Sequence, residues 1–381
     1  MTIDDVKSVA MIGAGDMGHG IAEVALLAGY SVTLRDVKEE YIERGAKRID
    51  ESLRKLVEKD KTTQEHYDRI RSGLLKTCTD LQEAVHQADI VIEAIPEDLL
   101  LKKQLFEQLD VAAPRHAILA SNTSTMSITQ LAKATLRPAQ VVGLHFFNPA
   151  VLMKAVEVIK GDATSDVVMD VCFAFCVKLG KVPVRIQKDV PGFIVNRVQA
   201  PGGVLANAVL DAGIATPEEL DALLRGAGMP MGPCELMDYT GLDINLNACK
   251  YFAETVHPDY APGRVLCEKV NAGDLGKKTG KGFFDWSQGR PALDLSKPAN
   301  TIAADDFLFV NANEATRLIE QGVCSADDVD TAIVNGTGSA VGPMKALSMF
   351  ESAKVRARLQ YLAEKFDKEI FKPSATIQGM V

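Results

Sequence analysis

A glycine-rich turn between two short apolar runs is the feature that most restricts how this chain can fold. Residues 9–18 read Val-Ala-Met-Ile-Gly-Ala-Gly-Asp-Met-Gly, and a second run, Ser-Val-Thr-Leu-Arg, ends at Arg35 and is followed by Asp36. This order predicts a strand, a tight turn, a helix and a second strand with an acid at its end. In the spacing Gly-x-Gly-x-x-Gly, the first glycine permits the turn, the second lets a ligand approach the backbone, and the third lets the helix pack closely on the sheet.

This unit predicts binding of a dinucleotide, because the N–H groups and positive dipole end of a helix that starts at such a turn face phosphates. Asp36 lies 18 residues after Gly18, close to the spacing of about 20 expected for an acid that binds the ribose 2′-hydroxyl. A carboxylate there favours NAD over NADP, with the adjacent Arg35 as the feature that weighs toward NADP. The expected cofactor contacts in the turn are Gly13, Ala14, Gly15, Asp16, Met17 and Gly18.

Composition and charge indicate a globular protein of two or three domains. The chain has 381 residues, 47% of them hydrophobic and 24% charged, and its formal net charge is −9. This acidity argues against nucleic-acid binding, and no apolar stretch reaches the length of a membrane span. The first residues are polar and acidic and resemble neither a secretory signal nor a transit peptide.

Seven cysteines and six histidines are scattered along the chain. The cysteine number is odd and there is no Cys-x-x-Cys pair, so we expect reduced thiols in a cytoplasmic protein rather than disulfides. The histidines do not pair at the spacing of metal ligands, so no metal is expected.

Short apolar runs alternate with helical segments over residues 1–187, which is typical of a doubly wound α/β sheet. After the first two predicted strands, further strands are expected at 89–95, 117–121, 140–147, 155–159 and 181–186. The pattern becomes helical from about residue 190 onward. The predicted fold is therefore an α/β, Rossmann-type domain followed by an all-α region.

The all-α region contains an internal repeat. The segment 211–221, Asp-Ala-Gly-Ile-Ala-Thr-Pro-Glu-Glu-Leu-Asp, returns at 320–330 as Glu-Gln-Gly-Val-Cys-Ser-Ala-Asp-Asp-Val-Asp, an offset of 109 residues. A Gly-Pro pair at 232–233 returns at 342–343. The predicted domains are a nucleotide-binding domain at 1–187, a helical domain at 188–290 and a second, degenerate copy of that helical domain at 298–381.

A histidine and a glutamate in two predicted strands are the candidates for acid–base catalysis. His145 lies near the carboxyl end of its strand, where open α/β sheets bind ligands, and histidine transfers protons near neutral pH. Glu157 follows 12 residues later, inside the apolar run 155–159. Because a carboxylate buried without a partner is costly, we expect Glu157 to pair with His145, to orient the imidazole and to stabilise its protonated form.

Five sequence motifs closely resemble the NAD-dependent L-3-hydroxyacyl-CoA dehydrogenases, in order and in spacing, between about residues 6 and 286. The motifs are ASNTS at 120–124, GLHFFNP at 143–149, MKAVEVI at 153–159, DVPGFIVNR at 189–197 and GKKTGKGFF at 276–284. The resemblance implies reversible oxidation of an L-3-hydroxyacyl-CoA by NAD to the 3-oxoacyl-CoA, and a place in fatty acid metabolism such as β-oxidation.

The resemblance also implies roles for individual residues. His145 is expected to be the catalytic acid and base with Glu157 as its partner. Ser124 and Asn196 are expected to hydrogen-bond the reacting oxygen of the substrate. The other residues expected along the cofactor are Glu97, Lys102, Asn122 and Lys278, beside the glycine turn and Asp36. The residues expected to contact the coenzyme A part of the substrate are Ser124 together with Ser52 and Lys59, which lie on the predicted charged helix 38–59.

The chain departs from the family pattern at a few positions. Val151 stands where the family commonly has proline, and Leu205 stands where a glutamate is usual, although the second copy has Glu314 at that place. The second copy has Asp305 at the position of Asn196 and lacks the Lys-Lys-Thr-Gly run. We therefore expect the second copy to be architectural, and the other two changes to affect substrate preference more than activity.

Two alternatives stay open on the sequence: a dehydrogenase of the same fold that acts on a free hydroxy acid or sugar acid, and a catalytically silent NAD-binding assembly protein. Intact Ser124, His145, Glu157 and Asn196 weigh against the silent protein. In related enzymes one helical domain joins two chains. The duplicated domain is therefore expected to form an intrachain pseudo-dimer, with a homodimer as the alternative.

Overall fold

The computed structural model describes residues 1–380. They divide into two compact units, one of Met1–Phe193 with Gly322–Gly338, and the other of Ile194–Gln321 with the chain from Ser339 onward. Residues 322–338, which the sequence analysis assigns to the last domain, thus belong to the first compact unit. The three predicted domain ranges stay a prediction.

One eight-stranded sheet forms the centre of the first unit. Its strands are β1 Ser8–Ile12, β2 Ser31–Arg35, β3 Leu75–Cys78, β4 Ile90–Glu93, β5 Ile118–Ser121, β6 Val141–Phe146, β7 Ala155–Ile159 and β8 Val182–Ile186. They are arranged in the order β3-β2-β1-β4-β5-β6-β7-β8. Neighbours are parallel except β6 and β7, which are antiparallel. The order reverses between β1 and β4, which is the place where such sheets bind ligands at the carboxyl ends of their strands.

Seventeen α-helices lie within residues 1–380. They are α1 Asp16–Leu27, α2 Glu39–Glu58, α3 Gln64–Arg69, α4 Leu81–Val85, α5 Leu99–Ala112, α6 Ile128–Ala132, α7 Asp166–Lys178, α8 Val195–Asp211, α9 Pro217–Gly226, α10 Pro233–Thr240, α11 Leu242–Thr255, α12 Arg264–Asn271, α13 Ala304–Glu320, α14 Ala326–Thr337, α15 Pro343–Leu347, α16 Ser352–Phe366 and α17 Ala375–Gly379. Short 3-10 helices lie at Ile3–Asp5, Pro138–Gln140, Pro258–Tyr260, Lys277–Thr279 and Glu369–Phe371, and a π-helical turn lies at Ile70–Leu74. None of the helices described is both long enough and apolar enough to cross a membrane.

The central strands are buried on both faces. All residues of β4, β5, β6 and β7 are buried, as expected for a sheet covered by helices on each side. On one face, Cys172 and Phe175 of α7 lie in the same hydrophobic core as Val156 and Val158 of β7. Because side chains alternate along a strand, Glu157 points to the opposite face.

Strand β3 was not predicted from the sequence. Its two central residues, Lys76 and Thr77, are exposed, and Leu75 and Cys78 are half-buried. It lies at the edge of the sheet, beside β2. An edge strand needs no continuous apolar run, so the periodicity that identified the central strands is missing here.

The second unit is helical, with a separate hydrophobic core. The long helices α8 and α13 pack against each other at its centre. Leu205 and Val209 of α8, and Phe309 and Val310 of α13, are fully buried in this core. The prediction of a Rossmann-type sheet with helices, followed by a helical region, is confirmed.

Candidate active site

The glycine turn after β1 packs against the end of β4. Gly13 has a φ of +106°, and a Cβ there would lie 2.5 Å from the carbonyl oxygen of Ala94. A Cβ on Gly18 would lie 1.8 Å from the carbonyl oxygen of Gly13. By contrast, no atom lies within 4 Å of the Cβ position of Gly15. The turn is therefore closed against the sheet and open at the start of α1, where an anion would meet backbone N–H groups.

The Asp36 carboxylate is held beside this turn. Its Oδ2 accepts a hydrogen bond from the Ala14 backbone N–H at 2.7 Å, and its Oδ1 accepts one from Val37 at 2.7 Å. Arg35 instead donates from Nε to the carbonyl oxygen of Thr79 at 2.9 Å. The acid after β2 thus stands at the glycine turn, while the neighbouring guanidinium is bound to the loop after β3.

A buried lysine links the glutamate at the end of β4 to a glutamate in the loop that follows. Lys102 Nζ lies 2.5 Å from Glu93 Oε1 and 3.1 Å from Glu97 Oε2. Lys102 and Glu93 are almost completely buried, so the lysine charge balances a carboxylate inside the domain. Lys102 and Glu97 were predicted from the sequence, whereas Glu93 was not, because its only signal was a carboxylate at the end of an apolar run.

Glu97 holds the loop that carries Ser124. Its Oε1 accepts hydrogen bonds from the Ser124 backbone N–H at 3.0 Å and the Thr125 backbone N–H at 3.3 Å, and also from the Thr123 hydroxyl. Burial acts to raise the pKa of Glu97, but Lys102 and these donors outweigh it and lower the pKa below its ordinary value. The loop is therefore held by a charged acceptor, which strengthens its hydrogen bonds.

Asn122 connects the end of β5 to its two neighbours. Its backbone N–H donates to the carbonyl oxygen of Glu93 at 2.8 Å. Its side-chain Oδ1 accepts from the Phe146 backbone N–H at 2.9 Å. Asn122 thus lies next to the residue that follows His145 in β6.

His145 and Glu157 face each other across β6 and β7. The antiparallel register places the two residues directly opposite, and His145 Nδ1 lies 2.6 Å from Glu157 Oε2. The histidine is 6% exposed and the glutamate 0%. The rings of Phe147 and Phe193 lie 4.6 Å and 5.9 Å from the imidazole, centroid to centroid. This arrangement fixes the ring through Nδ1 in apolar surroundings and leaves Nε2 as the nitrogen for a substrate.

Ser52 and Lys59, the residues expected at coenzyme A, lie on and just after α2. Lys59 is exposed at the carboxyl end of the helix. Ser52 Oγ donates to Glu23 Oε1 of α1 at 2.6 Å. The pKa of Glu23 is raised to about 7. Burial raises it by more than the Ser52 hydrogen bond lowers it. Glu23 was not predicted as a site residue, although a glutamate within the apolar run of α1 is a visible signal in the sequence.

Two further predicted residues belong to the helical unit. Asn196 is the second residue of α8. Lys278 lies in the 3-10 turn Lys277–Thr279, and its Nζ is 2.5 Å and 2.6 Å from the carboxylate oxygens of Asp243.

The loop after Lys278 is anchored by Asp238, another residue that sequence reasoning missed. The Asp238 carboxylate accepts from the backbone N–H of Phe283 at 2.8 Å and of Phe284 at 2.9 Å, and from Trp286 Nε1 at 2.9 Å. All three donors are thereby satisfied inside the helical unit. Within the described part of the chain, His, Cys, Asp and Glu side chains do not gather in groups of three that could hold a metal.

Comparison with known proteins identifies the family. The model of the 3-hydroxyacyl-CoA dehydrogenase NAD binding domain matches residues 8–190, and the model of the C-terminal domain of 3-hydroxyacyl-CoA dehydrogenase matches residues 192–286 and 304–381. The mitochondrial hydroxyacyl-coenzyme A dehydrogenase of Rattus norvegicus is 42% identical over 293 residues, covering 74% of this chain and 91% of the rat protein.

Two bacterial proteins give the same result. The probable 3-hydroxybutyryl-CoA dehydrogenase of Bacillus subtilis is 41% identical over 290 residues, covering 74% of this chain and 99% of its own. The crystal structure of 3-hydroxybutyryl-CoA dehydrogenase from Escherichia coli has a TM-score of 0.91 with 30% identity, and the match covers 98% of both chains. The chain therefore belongs to the 3-hydroxyacyl-CoA dehydrogenase family.

Proposed function

We propose that this protein catalyses the reversible NAD-dependent oxidation of an L-3-hydroxyacyl-CoA to the 3-oxoacyl-CoA. The observation that carries the proposal is the 2.6 Å hydrogen bond between His145 Nδ1 and Glu157 Oε2 at the carboxyl end of β6. A base held in this way is suited to accept a proton from a substrate hydroxyl group. Relatives of the chain are named for acting on hydroxyacyl, 3-hydroxybutyryl and 3-hydroxyadipyl thioesters of coenzyme A.

His145 is the proposed acid and base. Its Nε2 accepts the hydroxyl proton during oxidation and returns it during reduction, while the Glu157 charge stabilises the imidazolium that forms. Ser124 and Asn196 are the proposed hydrogen-bonding partners of the reacting oxygen, and such fixed groups stabilise charge where it develops. Ser52 and Lys59 are proposed, with Ser124, to contact the coenzyme A part of the substrate.

The residues around the first glycine turn fit NAD. The open space beside Gly15 and the start of α1 accommodate a pyrophosphate, and we propose that residues 13–18 bind it. The Asp36 carboxylate, held at the turn by the Ala14 N–H, is suited to the ribose hydroxyls. When bound, NAD supplies the acceptor for the substrate hydride. The other proposed cofactor contacts are Glu97, Lys102, Asn122 and Lys278.

Oxidation of NADH in the presence of acetoacetyl-CoA tests this function. We expect turnover in the wild type and its loss in His145→Ala. His86→Ala is the matched control, because His86 is an exposed histidine at the end of α4 that bonds only locally to the Glu83 carbonyl oxygen. Binding of NAD without turnover of any acyl-CoA would contradict the proposal and support a catalytically silent protein. Turnover of free hydroxy acids without coenzyme A would point to the other alternative.

We further infer that the helical region is a duplicated domain, with copies at 188–290 and 298–381 after the nucleotide-binding domain at 1–187. Two separate segments match one C-terminal domain model, which supports this inference. Gly202 N donates to Asn311 Oδ1 at 2.8 Å, a contact between residues 109 apart, which is the offset of the sequence repeat. Thr216 and Ser325, at the same offset, each close the start of a helix with a capping box.

The inferred copies would meet as the two halves of a pseudo-dimer within one chain, because a self-complementary interface brings equivalent residues together. Sedimentation of the full chain tests this arrangement against a homodimer. A chain that ends at Trp286 loses the second copy and exposes the apolar face of α8, so we expect it to dimerise or to lose solubility. A soluble monomer would contradict the inference.

The cysteines support a location in the cytoplasm. All seven are free in the structure, and free thiols persist where glutathione and thioredoxin keep them reduced. We therefore propose a cytoplasmic protein.

A further inference from the structure

The segment Gly322–Gly338 packs against the sheet that carries the catalytic pair. It lies more than 120 residues beyond β8 in the chain but belongs to the same compact unit as the sheet. Its helix α14 contacts β7 and β8. The backbone N–H of Gln187, the residue after β8, donates to the carbonyl oxygen of Val323 at 2.8 Å. The segment therefore packs on the part of the sheet that β7 and β8 form.

The segment lies on the face of the sheet to which Glu157 points. The other face of β7 and β8 is covered by α7, whose core includes Val156 and Val158. Arg185, which is in register with Val158, also points to that face, where it pairs with Asp170 of α7. Glu157 is in register with the apolar Val184. Since residues alternate across a strand, α14, which contacts β7 and β8, lies on the Glu157 face of these two strands.

Cys324 gives an independent indication that the segment is near Glu157. Burial, together with the negative charges of Asp328 and Glu157, raises the pKa of the Cys324 thiol to about 12. The thiol is thus within electrostatic range of the carboxylate that holds His145. The segment is also firmly packed, because Val323, Val329 and Ala332 are completely buried.

We propose that Gly322–Gly338 is a positioning element of the active site, which screens the Glu157 carboxylate from water and so strengthens its hold on His145. A carboxylate in a drier environment interacts more strongly with an imidazolium. His145 on β6 and Cys324 on the segment both interact with Glu157, and Asp328 on the segment acts on Cys324. Arg185 and Asp170 neutralise each other on the opposite face. This role rests on the proposed function, because it assigns the pair to catalysis.

The proximity of Cys324 to Glu157 can be measured without turnover. We expect Glu157→Gln to lower the thiol pKa and to speed alkylation of Cys324 by iodoacetamide about threefold or more at fixed pH, followed by peptide mass spectrometry. Glu83→Gln is the matched control, because Glu83 raises the pKa of Cys78 in the same way. It should speed alkylation of Cys78 and leave Cys324 unchanged. Buried Cys172 reports unfolding if it becomes reactive.

Two substitutions of equal shape at Cys324 test whether the segment acts on the His145–Glu157 pair. Cys324→Asp adds a negative charge behind Glu157 and Cys324→Asn does not. We expect the acidic limb of the pH profile of kcat/KM for hydroxyacyl-CoA oxidation to move up by about half a pH unit or more in Cys324→Asp, and to stay in place in Cys324→Asn.

Coincident profiles of the two folded variants would overturn the proposal, as would a Cys324 alkylation rate that Glu157→Gln leaves unchanged. If Cys324→Asp does not fold, the alkylation rates decide. If the wild type turns over no acyl-CoA, the proposed function fails. This outcome differs from failure of the positioning role, because the alkylation experiment still measures the proximity of Cys324 to Glu157 without turnover.

Discussion

Arg197 and Glu314 form a buried ion pair between α8 and α13. Arg197 Nε lies 2.6 Å from Glu314 Oε1, and both side chains are almost completely buried. Glu314 also lies 3.2 Å from Arg317 Nη1. By the repeat offset of 109, Glu314 corresponds to Leu205 in the first proposed copy. The proposed second copy thus carries an acid that the proposed first copy lacks, and this acid pairs with Arg197 near the start of the helix that contains Asn196.

We expect Glu314→Ala to lower the free energy of unfolding by about 3 kcal/mol, because it removes the carboxylate that balances the buried Arg197 charge. The double variant Arg197→Met with Glu314→Leu should recover most of this loss, since apolar replacement of both partners is often neutral. Urea unfolding of the wild type, of Arg197→Met, of Glu314→Leu and of the double variant measures the coupling. If the two single losses simply add in the double variant, the ion pair has no role in stability.

Glu157→Gln should reduce kcat about 100-fold or more while changing KM little. Glutamine preserves the shape but loses the charge that stabilises the His145 imidazolium. Steady-state kinetics over a range of acyl-CoA concentrations separates kcat from KM. Glu107→Gln, on the exposed surface of α5, serves as the control. Equal kcat values for Glu157→Gln and wild type would remove Glu157 from the mechanism.

The raised pKa of Glu23 predicts that the free energy of unfolding depends on pH. Its folded pKa of about 7 exceeds its ordinary value of 4.5 because the carboxyl is buried. Between pH 4.5 and about 7 the folded protein binds more protons than the unfolded chain, so the free energy of unfolding of the wild type falls as the pH rises. Above about pH 7 Glu23 causes no further decrease. Glu23→Gln removes this loss. We expect its advantage over wild type to be small at pH 5 and on the order of 3 kcal/mol at pH 8.

Urea unfolding at several pH values measures the Glu23 effect. Glu58→Gln, exposed at the end of α2, should follow the wild type throughout. An advantage of Glu23→Gln that does not grow with pH would show that Glu23 is ionised in the folded protein at pH 5.

Asp238→Ala should strongly destabilise the helical unit and change its fluorescence. The substitution leaves three buried donors without their acceptor, among them the indole N–H of Trp286, and each such donor costs about 1–3 kcal/mol. Trp286 is the only tryptophan in the chain, so its emission reports on this loop directly. Asp243→Ala, which removes the partner of Lys278 on the surface, should leave the emission unchanged. An unshifted emission maximum in Asp238→Ala would contradict the predicted role of this carboxylate.

The elements of the fold that were predicted correctly depend on residues close together in the chain. The turn after β1 requires glycine at Gly13 and Gly18 for steric reasons, and the buried strands β4 to β7 appear as apolar runs. β3 was missed because an edge strand is half exposed and needs no such run. Glu157 could be predicted as the partner of His145 because a carboxylate within an apolar run is buried, and burying its charge without a hydrogen-bonding or charged partner is costly.

The Rossmann-type sheet, the helical region after it and the family of the chain could all be predicted before the structure, because periodicity and motif spacing can be read directly from the residue order. Three contacts became visible in the folded chain alone. Glu23 accepts a hydrogen bond from the Ser52 hydroxyl, Asp238 accepts one from the Trp286 indole, and Gly322–Gly338 packs on the sheet beside Glu157. These contacts join residues 29, 48 and more than 120 positions apart. Such contacts depend on how whole elements pack, and burial of a polar group decides its partner only after that packing is complete.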